Sequence, residues 1–566
     1  MISRKLVALS LTIALLLAGA LVLLSLLGSS PVAHAVMAAR YVAVTGNDTD
    51  NDCANPSSPC RTVQHTVDEA SSGDTIMVAE GVYTDVHGRS RPANYDAPPA
   101  FTTVYQVVLV TETVTIRGGY TTDFGPPDPE AHPTILDAGG QGRVLLIAGG
   151  TNPTIEGLRL TGGDATGLYG EGGPVDAGGG VYSTDATAVL SGNLIYSNTA
   201  GAGNSYGGGL HLRWSDVTLT NNVVVSNTAA FGGGVRLYYA GGLLSGNTFG
   251  YNTAKNGGGV VLTSCDTDVT FSGNTVISNT ATTGSGGGIY LYDCPSVISG
   301  NTVVSNTAGT NGGGLYVDAE DDATVQDNTF AANTAQAGGG LYLYGSGVTI
   351  TDNQITGNTA QSGAGLLLYY SDATLIGNAV LGNTDGIFMR QSSPELINNV
   401  IANNTTSATY SSGIYVYDGS HPRLTHTTIA NNGGPQSYGL SLKMISDPCS
   451  AVLTNTILTG HTTGIYVQAL SSATLEGTLW QNGTDWDGYG EIVTGTHNYW
   501  GDPRFGADGY HLTAGSAAID RGINAGVTID IDGEPRPQGA APDLGADECW
   551  SCITLRVYLP LVMRGY

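Results

Sequence analysis

The sequence predicts an all-β protein: a single-stranded right-handed parallel β-helix of about 25 residues per coil, with a short N-terminal capping helix and a C-terminal cap. Three observations predict it. First, a glycine-led phrase recurs from Gly178 to Val467, and the last glycine of each copy falls at 180, 209, 234, 259, 288, 314, 340, 365, 386, 413, 439 and 464. Steps of 21 to 29 residues are the signature of a solenoid. Second, the residues after each glycine mark alternate, with aliphatic Ile289, Leu291, Leu315 and Val317 interleaved with Tyr290, Tyr292 and Tyr316. That is the period of a strand with one buried face. Third, Gly and Asn recur too densely for helices. They mark turns, and three short strands with three turns fit one coil.

In chain order, residues 1–35 read as a signal peptide: Lys5 and Arg4 precede the apolar run 6–28, and Ala33-His34-Ala35 offers a cleavage signal. The run is also long enough for an uncleaved anchor. No later segment could span a bilayer as a helix. Residues 36–83 read as an N-terminal cap and first coil. Here a helix over 62–71, with Val63, Thr66, Val67 and Ala70 on one face, plugs the open end of the solenoid. Residues 84–177 form early coils interrupted by Pro-rich and Gly-rich excursions, notably 85–103 and 162–176. Regular coils fill 178–480. Residues 481–548, with Trp486 and Trp500, are expected to close the far end. The tail 549–566 reads as a final edge strand or a sorting tail.

The opening Tyr41-Val42, Gly46-Asn47-Asp48, Pro59-Cys60-Arg61-Thr62-Val63-Gln64 and Gly73-Asp74-Thr75-Ile76 resembles that of many secreted bacterial β-helix proteins. Among them are pectate-lyase-like polysaccharide lyases and the choice-of-anchor Q family. The block Gly515-Ser516-Ala517-Ala518-Ile519-Asp520-Arg521-Gly522, Asp530-Ile531-Asp532-Gly533 and Asp543-Leu544-Gly545-Ala546-Asp547-Glu548 resembles the C-terminal block of choice-of-anchor Q proteins. The resemblance implies fold and secretion. It does not imply an activity, because such folds host enzymes and adhesins alike.

The formal charge of −27 excludes nucleic acid and polybasic membrane adhesion. The implied location is secreted or cell-surface, as a monomer. Equal offsets from the glycine marks stack coil on coil. Cys265 and Cys294 therefore fall ~4.8 Å apart, within reach of a disulfide. Cys53 with Cys60, and Cys549 with Cys552, form local bridges in an exported chain. Cys449 is left over. The asparagines of the Asn-Thr-Ala phrase stack into a hydrogen-bonded ladder and tolerate left-handed turns.

Outward columns on one face suggest two kinds of site. Tyr290, Tyr292, Tyr316, Tyr342 and Tyr344 form an aromatic stripe, either a sugar-stacking platform or a ladder packed on itself. His211, Arg213 and Arg236 form a basic cluster on adjacent coils, with Lys255 at the turn before the next. Its bland reading is surface charge paired with Asp185 or Asp216. By resemblance to β-helix lyases, an arginine there would serve as base while cations neutralise a uronate. Asp48, Asp50 and Asp52 alternate like oxygen ligands in a Ca²⁺ loop but lack its glycine and distal glutamate. Asp530 and Asp532 are similar in type. Glu320-Asp321-Asp322 reads as a solvated turn. The expected function is a carbohydrate-contacting or adhesive scaffold. The alternative is a polysaccharide lyase or glycoside hydrolase acting near His211, Arg213 and Arg236.

Overall fold

The structure, a computed structural model, describes residues 38–318, 323–405, 410–434 and 436–552. The signal segment 1–35, the acidic run 320–322 and the tail from 553 lie outside the described residues.

From Ala39 onward the chain winds as a right-handed parallel β-helix. One sheet takes a single strand from each coil, such as Leu210–Arg213, Val235–Tyr238, Val260–Thr263 and Ile289–Tyr292. A second, larger sheet takes two strands from most coils, such as Val269–Ser272 and Thr275–Ile277. The register is the one the glycine marks predict: His211 pairs with Arg236, Arg236 with Val261, Val261 with Tyr290 and Tyr290 with Tyr316. Inward aliphatics from Leu210, Leu237, Leu262, Ile289 and their equivalents fill the lumen with no solvent exposure.

Two asparagine ladders run beside that core. In one, each Asn Nδ2 donates to the Oδ1 of the next coil's asparagine and to a strand carbonyl. Asn306, for example, reaches Asn333 Oδ1 at 3.0 Å and Val276 O at 2.9 Å, while its own Oδ1 accepts Asn279 N at 2.9 Å and Asn279 Nδ2 at 3.0 Å. The left-handed residue is the one before each ladder asparagine rather than the asparagine itself: Ser226 has φ 57° and Ser278 φ 53°. The turn and the ladder thus use neighbouring residues. The glycine marks allow tight stacking. A Cβ on Gly233 would lie 2.6 Å from the carbonyl oxygen of Gly258 in the next coil, so no side chain fits.

At the N-terminal end the helix Val63–Glu69 is capped by Thr62, whose hydroxyl accepts His65 N. It buries Val63 and Val67 on the lumen. Its Gln64 side chain accepts Leu109 N at 2.7 Å and donates to Leu109 O at 3.3 Å, satisfying strand-edge groups that would otherwise face an open end. The bonds Cys53–Cys60, Cys265–Cys294 and Cys549–Cys552 are formed, the second with a Cα separation of 4.6 Å. Cys449 is free and buried.

The C-terminal region departs from the expected end plug. Trp480 is buried in the lumen, but Trp486 and Trp500 on the last coil are exposed. Residues 501–549 lie against the outer face of the larger sheet. Arg536, from this block, donates to the carbonyls of Asp543 and Ala546 and contacts His426 Nδ1 at 2.8 Å. Asn455 exchanges two bonds with the backbone of Ile523, and Asn398 donates to Ile529 O. Among the described residues no helix is long and apolar enough to cross a membrane.

Candidate functional site

The outward face of the single-strand sheet carries His211, Arg213 and Arg236 on adjacent coils, so the structure does bring the three together. Both early excursions fold over them. Glu171, from the second excursion, contacts Arg236 Nη1 and lies 3.0 Å from His211 Nε2. Asp96, from the first, takes Arg213 Nη1. The guanidinium of Arg236 also lies over the Tyr206 ring at 3.9 Å, and the His211 ring stacks between Tyr182 and Tyr206. His211 has 0% exposure, and Arg213 and Arg236 have 7% each. The ion partners are thus Glu171 and Asp96, not Asp185 or Asp216.

Burial raises the Glu171 carboxyl, but the His211 and Arg236 charges outweigh it and hold it near about 2. Burial also pushes the His211 imidazole down. At neutral pH Glu171 is therefore ionised, paired with Arg236 and set against the buried His211 ring. The cluster is a sealed, ion-paired knot, and neither arginine has the access that a base or a uronate clamp requires. Lys255 is exposed at its turn and makes no ion pair among the described residues.

The aromatic stripe divides in two. Tyr290, Tyr316 and Tyr342 stack on one another with centroids 4.9 and 5.4 Å apart, and Tyr316 and Tyr342 are only 9% and 8% exposed. An outward column of large rings one strand spacing apart buries itself. Tyr292 and Tyr344 remain exposed, and Tyr344 joins Tyr369 and Tyr370 in an open aromatic patch.

Asp48, Asp50 and Asp52 do not come together as ligands. Asp48 accepts Arg61 N, Thr62 N and the Thr62 hydroxyl, so it fixes the approach to the capping helix, and those bonds draw its carboxyl down against the effect of burial. Asp52 accepts Ala54 N. Cys53, Cys60 and His65 lie near one another, but both cysteines are in the disulfide.

A groove of about 310 Å³ opens next to the sealed knot, along the turn that leaves the single-strand sheet. Its walls are Asp185, Trp214, Asp216, Tyr239 and Asp266, with Gly150 at one end. Trp214 and Tyr239 both have φ 47°, a left-handed turn conformation that throws their rings outward, and Trp214 is 44% exposed. The Arg213 guanidinium lies 3.7 Å from the Trp214 ring and braces it from behind. Tyr238 packs on Tyr239 at 4.3 Å. Asp185 accepts from the Asn94 amide, and Asp216 accepts the Thr267 hydroxyl at 3.2 Å. The groove thus offers two flat rings and three carboxylates rich in acceptor sites. Sequence reasoning missed Trp214 and Tyr239. The available signal was their shared place five residues past the marks at 209 and 234, where equivalent positions hold Ser264 and Asp293.

The family described as right handed beta helix region matches residues 139–330 and 287–444, together more than half of the chain. No curated protein matches at a significant level. Among solved structures, the pectate lyase Pel9A is 11% identical, with 90% of this chain and 96% of that one covered and a TM-score of 0.26. A tailspike protein of E. coli bacteriophage HK620, in complex with a pentasaccharide, is 12% identical, with 80% and 78% covered and a TM-score of 0.30. At those scores neither likeness bears on function.

Proposed function

The chain belongs to the right-handed β-helix family, and from that premise we propose that it is an exported protein whose groove at Trp214 and Tyr239 binds neutral saccharides. The observation that carries this reading is the groove itself. Sugar C–H faces stack on exposed aromatic rings, and sugar hydroxyls donate to fixed acceptors. Trp214 and Tyr239 supply the first, and Asp185, Asp216 and Asp266 the second. Neutral sugars fit better than uronates because the nearby arginines are already neutralised by Glu171 and Asp96 and the chain carries −27 overall. The exposed rings of Tyr292, Tyr344 and Tyr370 offer further contact along the same face. Export is supported by the signal-like first 35 residues and by three disulfides, which persist in oxidising compartments. The C-terminal block adds the choice-of-anchor Q resemblance.

The test is calorimetric titration of the full secreted chain with neutral and uronate-bearing oligosaccharides. The reading expects saturable binding of neutral members. Binding confined to uronates would overturn it. A glycoside hydrolase is the second reading, favoured by the three carboxylates lining one groove. It expects shortened products that vanish in Asp216→Asn.

A further inference from the structure

The block 501–549 holds a second cluster with no part in the groove. His511 stands in a turn organised by Asp508, whose Oδ1 accepts Tyr510 N and His511 N, each at 3.1 Å. The same carboxylate holds the imidazole: His511 Nδ1 lies 2.7 Å from Asp508 Oδ2. The other ring nitrogen, Nε2, is 2.7 Å from Asp532 Oδ2. Asp532 is set by Asp530, which accepts Asp532 N and Glu534 N with one oxygen and Glu548 N with the other. A third group completes the arrangement. Asp547 is only 6% exposed, and its Oδ2 accepts Leu512 N at 2.6 Å. Its second oxygen has no hydrogen bond among the described residues. One donor atom each from His511, Asp532 and Asp547 lies within 4.8 Å of the others.

A proton on His511 would bridge Asp508 and Asp532, but it sets only one positive charge against the three carboxylates of Asp508, Asp532 and Asp547. A metal ion accounts for all three groups. We propose that His511 Nε2, Asp532 and Asp547 bind one divalent transition-metal ion of the zinc class, with Asp508 as the carboxylate that orients the imidazole. Three protein ligands with an open fourth position are a known zinc arrangement, and ligand atoms about 2.0–2.2 Å from the ion stand roughly 3.4 Å apart. His511 Nε2 and Asp532 Oδ2, 2.7 Å apart, need to open by about 0.7 Å, and the other separations, at most 4.8 Å, need to close by about 1.4 Å at most. A carboxylate on the far nitrogen of a ligating histidine fixes the tautomer that presents the other nitrogen to the ion. An imidazole ligand favours the zinc class over Ca²⁺, which takes six to eight oxygens. The ion would tie together three segments around 508–512, 530–534 and 543–548, and so hold the block on the outer face of the sheet.

The test uses the full secreted chain, stripped with chelator, dialysed, and titrated with ZnCl₂. One ion per chain should bind. His511→Ala should weaken binding at least 100-fold, and Asp508→Asn about 10- to 100-fold, the usual loss for an outer-shell partner. CoCl₂ should give the visible bands of a four-coordinate ion in the wild type and none in His511→Ala. CaCl₂ should not displace zinc. Sub-stoichiometric zinc, a wild-type cobalt spectrum without those bands, or equal zinc affinity in His511→Ala overturns the proposal. The wild-type cobalt spectrum decides the matter even if the variant fails to fold.

Discussion

His461 Nε2 accepts the backbone N–H of Asn432 at 3.2 Å, in the place that an asparagine Oδ1 fills one coil earlier. Its Nδ1 lies 3.1 Å from Asn482 Oδ1, so the ladder continues through a neutral imidazole that donates from Nδ1. A protonated ring could not accept from Asn432. Burial pushes this imidazole down to about 4, against a smaller upward pull from Asn482. The folded value lies below the unfolded one near 6.5, so the contribution is fully present above about pH 6.5 and is lost as pH falls toward 4. The difference corresponds to about 3 kcal/mol. His461→Asn should keep the ladder and remove this part of the acid sensitivity, as read by urea midpoints between pH 7 and pH 4.

The ladder itself should be costly to interrupt. Asn306→Ala removes four hydrogen bonds and leaves Asn279 N without its acceptor inside the wall. At about 1 kcal/mol for each lost bond, more for orphaned buried groups, the expected loss is about 3–5 kcal/mol. Because each coil contacts only its neighbours, hydrogen exchange should accelerate in the adjoining coils before distant ones.

Glu171→Gln should behave as a structural lesion. It leaves Arg236 buried without its carboxylate, and breaking a buried pair typically costs about 3–5 kcal/mol. The excursion 162–176 should become susceptible to limited proteolysis while the coils beyond 260 remain resistant. In the wild type, the depressed Glu171 value makes this contribution present above about pH 4.5 and lost as pH falls toward about 2.

What the sequence made legible is what repeats. The glycine marks set the register, and register alone placed Cys265 on Cys294 and His211 beside Arg236. Non-repeating contacts were not legible. Glu171 and Asp96 reach the basic cluster from excursions 65 and 117 residues away in the chain, and no period announces such a meeting. For Tyr316 and Tyr342 the outward direction left both an open platform and a self-packed ladder, and these two rings are buried in the stack. Rings stacked a strand apart cover one another, so direction did not settle exposure. The block after 500 was expected at the end of the solenoid and instead lies along its side. Arg536, His426 and Asn455 hold it there through contacts that no spacing encodes. Trp214 was overlooked because it stands in a turn, outside the strand columns.

The most direct measurement compares the wild type with Trp214→Ala and Tyr344→Ala in equilibrium titrations with a neutral oligosaccharide. Loss of the braced ring in the groove should weaken binding at least about tenfold, some 1.4 kcal/mol, with a smaller effect at Tyr344. Affinity unchanged in Trp214→Ala, or no neutral oligosaccharide bound by the wild type, would contradict the account.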